Sequence, residues 1–272
     1  MKSSVADLLY YFGKVAERLC FIEAAAGTSG NISLRADGFP VDEFPEEGSR
    51  ETAHQKSDRE YPGLYGHRFV ITGSGKNFRY ISDRPHECLA LIEIAEGGYN
   101  ILWGLEEEKI TSEHAAHFTT YQQRPEVSAF VHAQPTSINV VSRLFREEES
   151  LNSLLFVQHE QLKICCPNGI GLVDTVRHGS HELADSVASC LAEKDICAVV
   201  RHGTFSIGTG NPIKALNMAC DLQEYYHDAA RIFLDNPWLR LLPVDFVIKN
   251  LGRFSRLPLG ERMIKAFIRP PK

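Results

Sequence analysis

The chain has 272 residues, 43% hydrophobic and 24% charged, with a formal net charge of −6. That length buries a substantial core and suits one large domain or two small ones. The lack of a basic block excludes an electrostatic footprint for nucleic acid, and no apolar run reaches the length of a membrane span.

From the start of the chain, Ser4 caps a predicted amphipathic helix with Val5, Leu8, Leu9, Phe12, Val15 and Leu19 on one face. Lys14, Glu17 and Arg18 interrupt that stretch, so it does not have the pattern of a secretory signal, and a cytoplasmic protein is expected. The seven cysteines are odd in number and scattered, and none forms a C-x-x-C, which reads as reduced thiols. Gly27 to Asn31 forms a turn before a strand at Ile32 to Arg35. Residues 36–67 are polar and read as a surface insertion that packs on a neighbour or carries short strands. Phe69 to Thr72 is a buried strand ending at Gly73-Ser74-Gly75-Lys76, and two strands follow at Leu89 to Ile94 and Tyr99 to Trp103. The acidic runs Glu106 to Glu108 and Glu147 to Glu149 read as solvated helix ends or loops.

After Thr111 a helix carrying Ala116, Phe118 and Tyr121 runs until Arg124-Pro125 stops it, with Thr111 or Ser112 as its expected cap. Ala129 to Val131 is a strand and Pro135 to Leu144 a helix. Leu162 to Cys166 reads as a strand, Ser180 to Glu193 as a helix and Ile196 to Val200 as a strand. Asn211 to Leu234 is a long helix with Ala215, Met218, Leu222 and Ala229 inward; residues 236–272 form an extension with an arm at Ile264 to Pro271. Helices and strands interleave without a repeat, which predicts one α/β domain over residues 1–272 with a central sheet and covering helices.

Four features carry chemistry. The turns Gly27 to Asn31 and Thr72 to Lys76 present backbone N–H groups and hydroxyls, as anion-binding nests do, although an ordinary tight turn explains either one alone. Thr111-Ser112-Glu113 is a helix start, hence also a phosphate site, with a carboxylate able to act as a base. His132 and Gln134 share one face at a strand end, where H-x-Q is a weaker metal signal than H-x-H. His202 precedes Gly203 at the end of another apolar strand, read within Val199 to Gly208. His114 and His117 read as structural, and Glu160 as a loop charge.

Jointly, Gly30-Asn31-Ile32-Ser33, Thr72-Gly73-Ser74-Gly75, Thr111-Ser112-Glu113, His132-Ala133-Gln134-Pro135 and His202-Gly203 resemble the class II aldolase/adducin family over residues 5–235. The resemblance implies a three-layer α/β/α fold with a mixed central β-sheet, assembled as a homotetramer with sites between subunits. It implies a divalent metal, normally Zn²⁺, with His132 and His202 in two of three histidine positions. Gln134 stands in the third, which makes Mn²⁺, Fe²⁺ or Mg²⁺ more competitive, and His159 or Glu160 is a further candidate ligand. Gly30, Asn31, Ser74, Gly75, Thr111 and Ser112 would hold the phosphate of a sugar phosphate. Glu113 would move the proton at C3 of the dihydroxyacetone phosphate half, and Glu160 would assist the C4 hydroxyl. Tyr225 and Tyr226 are candidates for the aldehyde side. The expected activity is a metal-dependent aldolase cleaving a phosphorylated ketose. The alternatives are a same-fold 4-epimerase, dehydratase or decarboxylase, or a non-catalytic interaction module.

Overall fold

The computed structural model describes residues 3–105 and 109–236. The opening helix is Val5–Phe21 (α1). Its start is set by a reciprocal cap: Ser4 Oγ accepts the Asp7 N–H at 3.1 Å, and the Asp7 carboxylate accepts the Ser4 N–H at 2.9 Å. Val5, Leu8, Phe12, Val15 and Leu19 are buried, with Leu9 half-buried beside them.

The strands are Asn31–Arg35 (β1), Ser49–Lys56 (β2), Arg68–Thr72 (β3), Leu89–Ala95 (β4), Gly98–Gly104 (β5), Val127–Ala133 (β6), Gly171–Val173 (β7), Ile196–Val199 (β8) and Gly203–Thr209 (β9). They form one sheet in the order β2-β5-β4-β3-β1-β6-β9-β8-β7. Only β7 and β8 run parallel, so the sheet is mixed. The remaining helices are Pro85–Cys88 (α2), His114–Gln123 (α3), Thr136–Leu144 (α4), Glu148–Gln158 (α5), Gln161–Cys165 (α6), His181–Leu191 (α7) and Pro212–Asp235 (α8). One sheet face packs against α1, α4, α5 and α8, and the other against α3 and α7. This is the expected three-layer arrangement.

Strand periodicity decides where chemistry can sit. In β6, Ala129, Val131 and Ala133 join the core under α1 and α8, whereas Phe130 and His132 face α3 and α7. All seven residues of β6 are buried because helices cover both faces, so the strand reads as a continuous apolar run. The register pairs Asn31 of β1 with His132 of β6 and Thr204 of β9 with Ala133, converging three strands on one end of the sheet.

Several expectations are corrected. Leu162 to Cys166 belongs to the helical turn α6, not to a strand: Leu162 and Cys166 are buried at helical spacing while Ile164 is 71% exposed. A run of five residues is too short for periodicity to separate the two. Met218 is exposed on α8 rather than inward. The cap of α3 is Glu113, and Thr111 Oγ1 accepts the Glu113 N–H at 3.2 Å. His202 sits in the turn between β8 and β9, so the apolar segment there is a hairpin and not a single strand. Helix α5, which starts at the second acidic run, has no counterpart in the sequence reading. The 36–67 segment does carry a strand: β2 pairs with β5 at the sheet edge, and Phe44 packs on Trp103 at 5.1 Å. The first acidic run at 106–108 and the arm at 264–271 lie outside the described residues.

Helix α8 lies close enough to β9 that a Cβ on Gly208 would come within 1.9 Å of the Ala215 carbonyl oxygen. Gly208→Ala is therefore expected to cost about 3 kcal/mol and to lower Tm by roughly 6–12 °C, since backbone must move apart. A thermal melt followed by circular dichroism checks this; an unchanged Tm would mean that helix and strand do not meet there.

Candidate active site

The site is built from the ends of β1 and β6, the start of α3 and the β8–β9 turn. Glu113 caps α3 and is buried, with one carboxylate oxygen 2.9 Å from His202 Nε2 and the other 3.3 Å from His132 Nε2. The two imidazoles meet edge to face, with centroids 4.9 Å apart, and His132 stacks on Phe205 at 4.1 Å. The three side chains form the cluster among the described residues whose donor atoms could surround one metal ion. Gly203 makes room for it, because a Cβ there would lie 2.9 Å from His132 Cε1 and 2.4 Å from the Ala133 carbonyl oxygen.

The protonation pattern follows from the hydrogen bonds. The Thr204 carbonyl can only accept, so His132 donates to it through Nδ1–H at 3.0 Å. Burial pushes the His132 pKa down to about 4, so at neutral pH the ring carries that one proton and Nε2 is a bare acceptor. Burial acts to raise the Glu113 pKa, but His132, which becomes charged only in acid where the carboxyl would titrate, together with the His202 ring and the Asn31 amide outweighs it and holds the carboxyl well below its usual range. A lone pair therefore faces an ionised carboxylate oxygen at 3.3 Å, an arrangement that a shared cation relieves. The donor set, two imidazoles and a carboxylate, is one that Zn²⁺ or a similar divalent ion accepts.

A second layer of polar contacts holds the cluster. Asn31 Nδ2 donates to Glu113 at 2.9 Å, and Asn31 Oδ1 accepts from the His117 ring at 2.6 Å. His117 Nδ1 in turn meets Ser33 Oγ at 2.6 Å, where the hydroxyl is the donor once Nε2–H serves Asn31. His117 is thus structural, as expected, and burial keeps it neutral. On the other side Gln223 donates to Ser206 Oγ at 2.9 Å and to the Val131 carbonyl at 3.3 Å, and accepts from Thr204 Oγ1. That network ties β9 to α8 and places the Thr204 carbonyl that selects the His132 tautomer. His114 donates to the Thr111 carbonyl at 3.0 Å and stays out of the cluster.

Gln134 lines the cavity with its amide nitrogen 3.5 Å from His132 Nε2, so rotating the amide brings Oε1 to the same point. The cavity, of about 650 Å³, is lined by Gly30, Asn31, Ser74, Gly75, Thr111 and Ser112 together with Glu113, His132, Gln134 and His202. Gly30 and Gly75 have φ of +88° and +67°, the left-handed backbone of an N–H nest. The Ser29 hydroxyl, also lining the cavity, is buried without a partner among the described residues, as a donor waiting for an anion would be.

The structure does not bring Glu160 to this cavity: it is exposed at the start of α6. His159 lines a separate cavity with Phe21 and His227, Tyr226 is buried in the core, and Tyr225 packs near His159. Sequence reasoning missed Thr175, Arg177, His178 and Arg201, which also line the cavity, whereas Thr28 and Ser29 carry the hydroxyls of the first turn singled out from sequence. Arg201 sits beside His202, so neighbourhood was the available signal there. The segment from Thr175 to His178 carried none.

Fold and site together define an α/β protein whose sheet end joins a two-histidine, one-carboxylate cluster to a cavity edged by glycine turns. The chain belongs to the class II aldolase family: the Class II Aldolase and Adducin N-terminal domain matches residues 14–234. It is 30% identical over 188 residues to a rhamnulose-1-phosphate aldolase from Yersinia pestis (strain Pestoides F), covering 66% of this chain and 69% of that protein. A solved sugar-phosphate aldolase from Thermotoga maritima is similar at TM-score 0.69 and 26% identity, covering 88% of this chain and 98% of that one. The l-fuculose-1-phosphate aldolase of Thermus thermophilus shares the fold at TM-score 0.56 and 22% identity, with 86% and 97% covered. Among the described residues no helix is long and apolar enough to cross a membrane.

Proposed function

We propose that this protein is a metal-dependent aldolase that cleaves a phosphorylated ketose, of the rhamnulose 1-phosphate kind, to dihydroxyacetone phosphate and an aldehyde. The observation that carries the reading is the His132–Glu113 pair, an acceptor facing a carboxylate at 3.3 Å beside His202 and next to an anion nest. His132, His202 and Gln134 would hold a divalent ion, Zn²⁺ first, with Mn²⁺, Fe²⁺ or Mg²⁺ favoured by the harder amide oxygen. When bound, such an ion supplies Lewis-acid stabilisation of the charge that develops on the substrate oxygens.

The chain's own residues do the rest. Gly30, Asn31, Ser74, Gly75, Thr111 and Ser112 receive the phosphate and set the ketose backbone against Glu113. Asn31 has a second task, since its side chain orients the Glu113 carboxylate. In cleavage the C4 hydroxyl passes its proton through water to Glu113, ionised at rest, the C3–C4 bond breaks to leave the aldehyde, and the electron pair stays on the C2–C3 fragment. Glu113 then returns a proton to C3; in condensation the same carboxylate, ionised at rest, removes it. Glu160 can serve the C4 hydroxyl only if a neighbouring subunit carries it to the cavity, which links that role to the ring-like homotetramer. A cytoplasmic enzyme with reduced thiols fits this chemistry; the seven cysteines are free in the structure.

Metal content by mass spectrometry, paired with cleavage assays on a panel of phosphorylated ketoses, tests the proposal. Wild type is expected to hold about one divalent ion per chain, and Gln134→His to raise zinc retention at least tenfold, as a third imidazole would. If Gln134→His changes neither occupancy nor turnover, Gln134 does not touch the metal. Metal without ketose cleavage would point to epimerisation, dehydration or decarboxylation on the same site; neither metal nor cleavage would point to an interaction module.

A further inference from the structure

The cavity holds two arginines that belong to neither the glycine turns nor the histidine cluster. Glu113 is the sole carboxylate among its described lining residues, and it is already engaged by His132, His202 and Asn31. Arg177 and Arg201 line the same cavity, are exposed, and have no carboxylate partner among the described residues. The segments that carry them are stitched together: Thr175 Oγ1 donates to the Val200 carbonyl at 3.1 Å, and the Val200 N–H donates to the Val173 carbonyl at 2.9 Å.

Arg201 also sits in a strained position. The His202 N–H donates to the Val199 carbonyl at 3.0 Å, closing a four-residue turn in which Arg201 is third, with φ at +68°. Glycine or asparagine ordinarily fills that place, because an L side chain is strained in the left-handed region. An arginine kept there, lining a cavity and without a carboxylate partner among the described residues, points to a ligand. We propose that Arg201, with Arg177, forms a second anion-recognition point, so that the aldehyde half of the substrate ends in a carboxylate or a phosphate. This inference rests on the aldolase reading for its assignment to the aldehyde half, though not for the anion point itself. The reaction needs no further reactant: C3 of dihydroxyacetone phosphate loses a proton, bonds to the aldehyde carbon, and the new alkoxide takes up a proton.

Calorimetric titration with fructose 1-phosphate and fructose 1,6-bisphosphate, which differ in one terminal anion, tests the site without requiring turnover. Wild type should bind the bisphosphate about tenfold more tightly, as charge-assisted arginine contacts would give. Arg201→Gly should reduce that preference to within about twofold while melting no lower than wild type, because glycine relaxes the turn. Arg177→Ala should weaken it in the same direction. Condensation of dihydroxyacetone phosphate with glyceraldehyde, glyceraldehyde 3-phosphate and tartronate semialdehyde then separates the sources: a lower KM for the second marks a phosphate, for the third a carboxylate. No preference for a terminal anion in either experiment overturns the proposal, as does equal weakening of both fructose phosphates by Arg201→Gly. A lower Tm in both Arg201→Gly and Arg201→Asn would mark a structural arginine and also overturn it. If no aldehyde condenses but the bisphosphate preference stands and falls with Arg201, the aldolase reading fails while the anion point survives.

Discussion

Glu113→Gln is expected to lower kcat for cleavage of a ketose 1-phosphate by about 10³-fold, the range of a lost general acid–base group. The substitution keeps size and shape but removes the carboxylate proposed to exchange a proton with C3. It should leave KM within a fewfold, since the phosphate nest is untouched. Stability should hold as well, because the new amide can donate to His132 Nε2, which otherwise faces a carboxylate oxygen at 3.3 Å. Steady-state kinetics and a thermal melt on the same preparation read both sides. A variant that retains more than a tenth of wild-type kcat would remove Glu113 from the proton-transfer step. A variant that loses activity only in parallel with Tm would make its role structural.

The other large effect is expected from His132→Ala, which should drop metal occupancy well below stoichiometric and cleavage by at least ~10³-fold. The damage has three parts. The variant loses one imidazole of the cluster, leaves the Thr204 carbonyl without its 3.0 Å donor, and opens a gap against Phe205, on which the ring stacks at 4.1 Å. The last two should cost roughly 2–4 kcal/mol, so stability and metal must be measured separately. Wild type stripped with a chelator supplies the comparison. It should lose as much activity as the variant and regain it when Zn²⁺ or Mn²⁺ is added back, whereas His132→Ala should not. If the stripped enzyme remains active, or the variant is rescued by metal, the cluster is not the reacting centre.

Residue order and spacing made much of this protein legible. The Ser4 cap, the buried Val70–Ile71 and Ala129–Val131 strands and the long helix after Asn211 are local features, set by side-chain periodicity and hydrogen bonding over a few residues. The turn glycines and the His-Gly pair stand out for the same reason, because a backbone nest or a close approach to a histidine admits few residue types. Short pieces were misread where that signal ran thin. Helix α6 and the β8–β9 hairpin each turn on residues whose burial is decided by distant partners.

Motif identity and local pattern are enough for the family, the layered α/β architecture, and the candidates at Glu113, His132, Gln134 and His202. Tertiary structure alone decided which of them meet. Bringing residues 31, 113, 132 and 202 to one sheet end requires strand pairing and helix packing across the chain, and sequence separation carries no such distances. It also decided that Glu160 lies outside this chain's cavity, that Asn31 orients Glu113, and that Arg177 and Arg201 enter the lining. Side-chain direction and solvent exclusion are properties of the assembled core, so charge left unpaired inside a cavity appears only when the chain has folded around it.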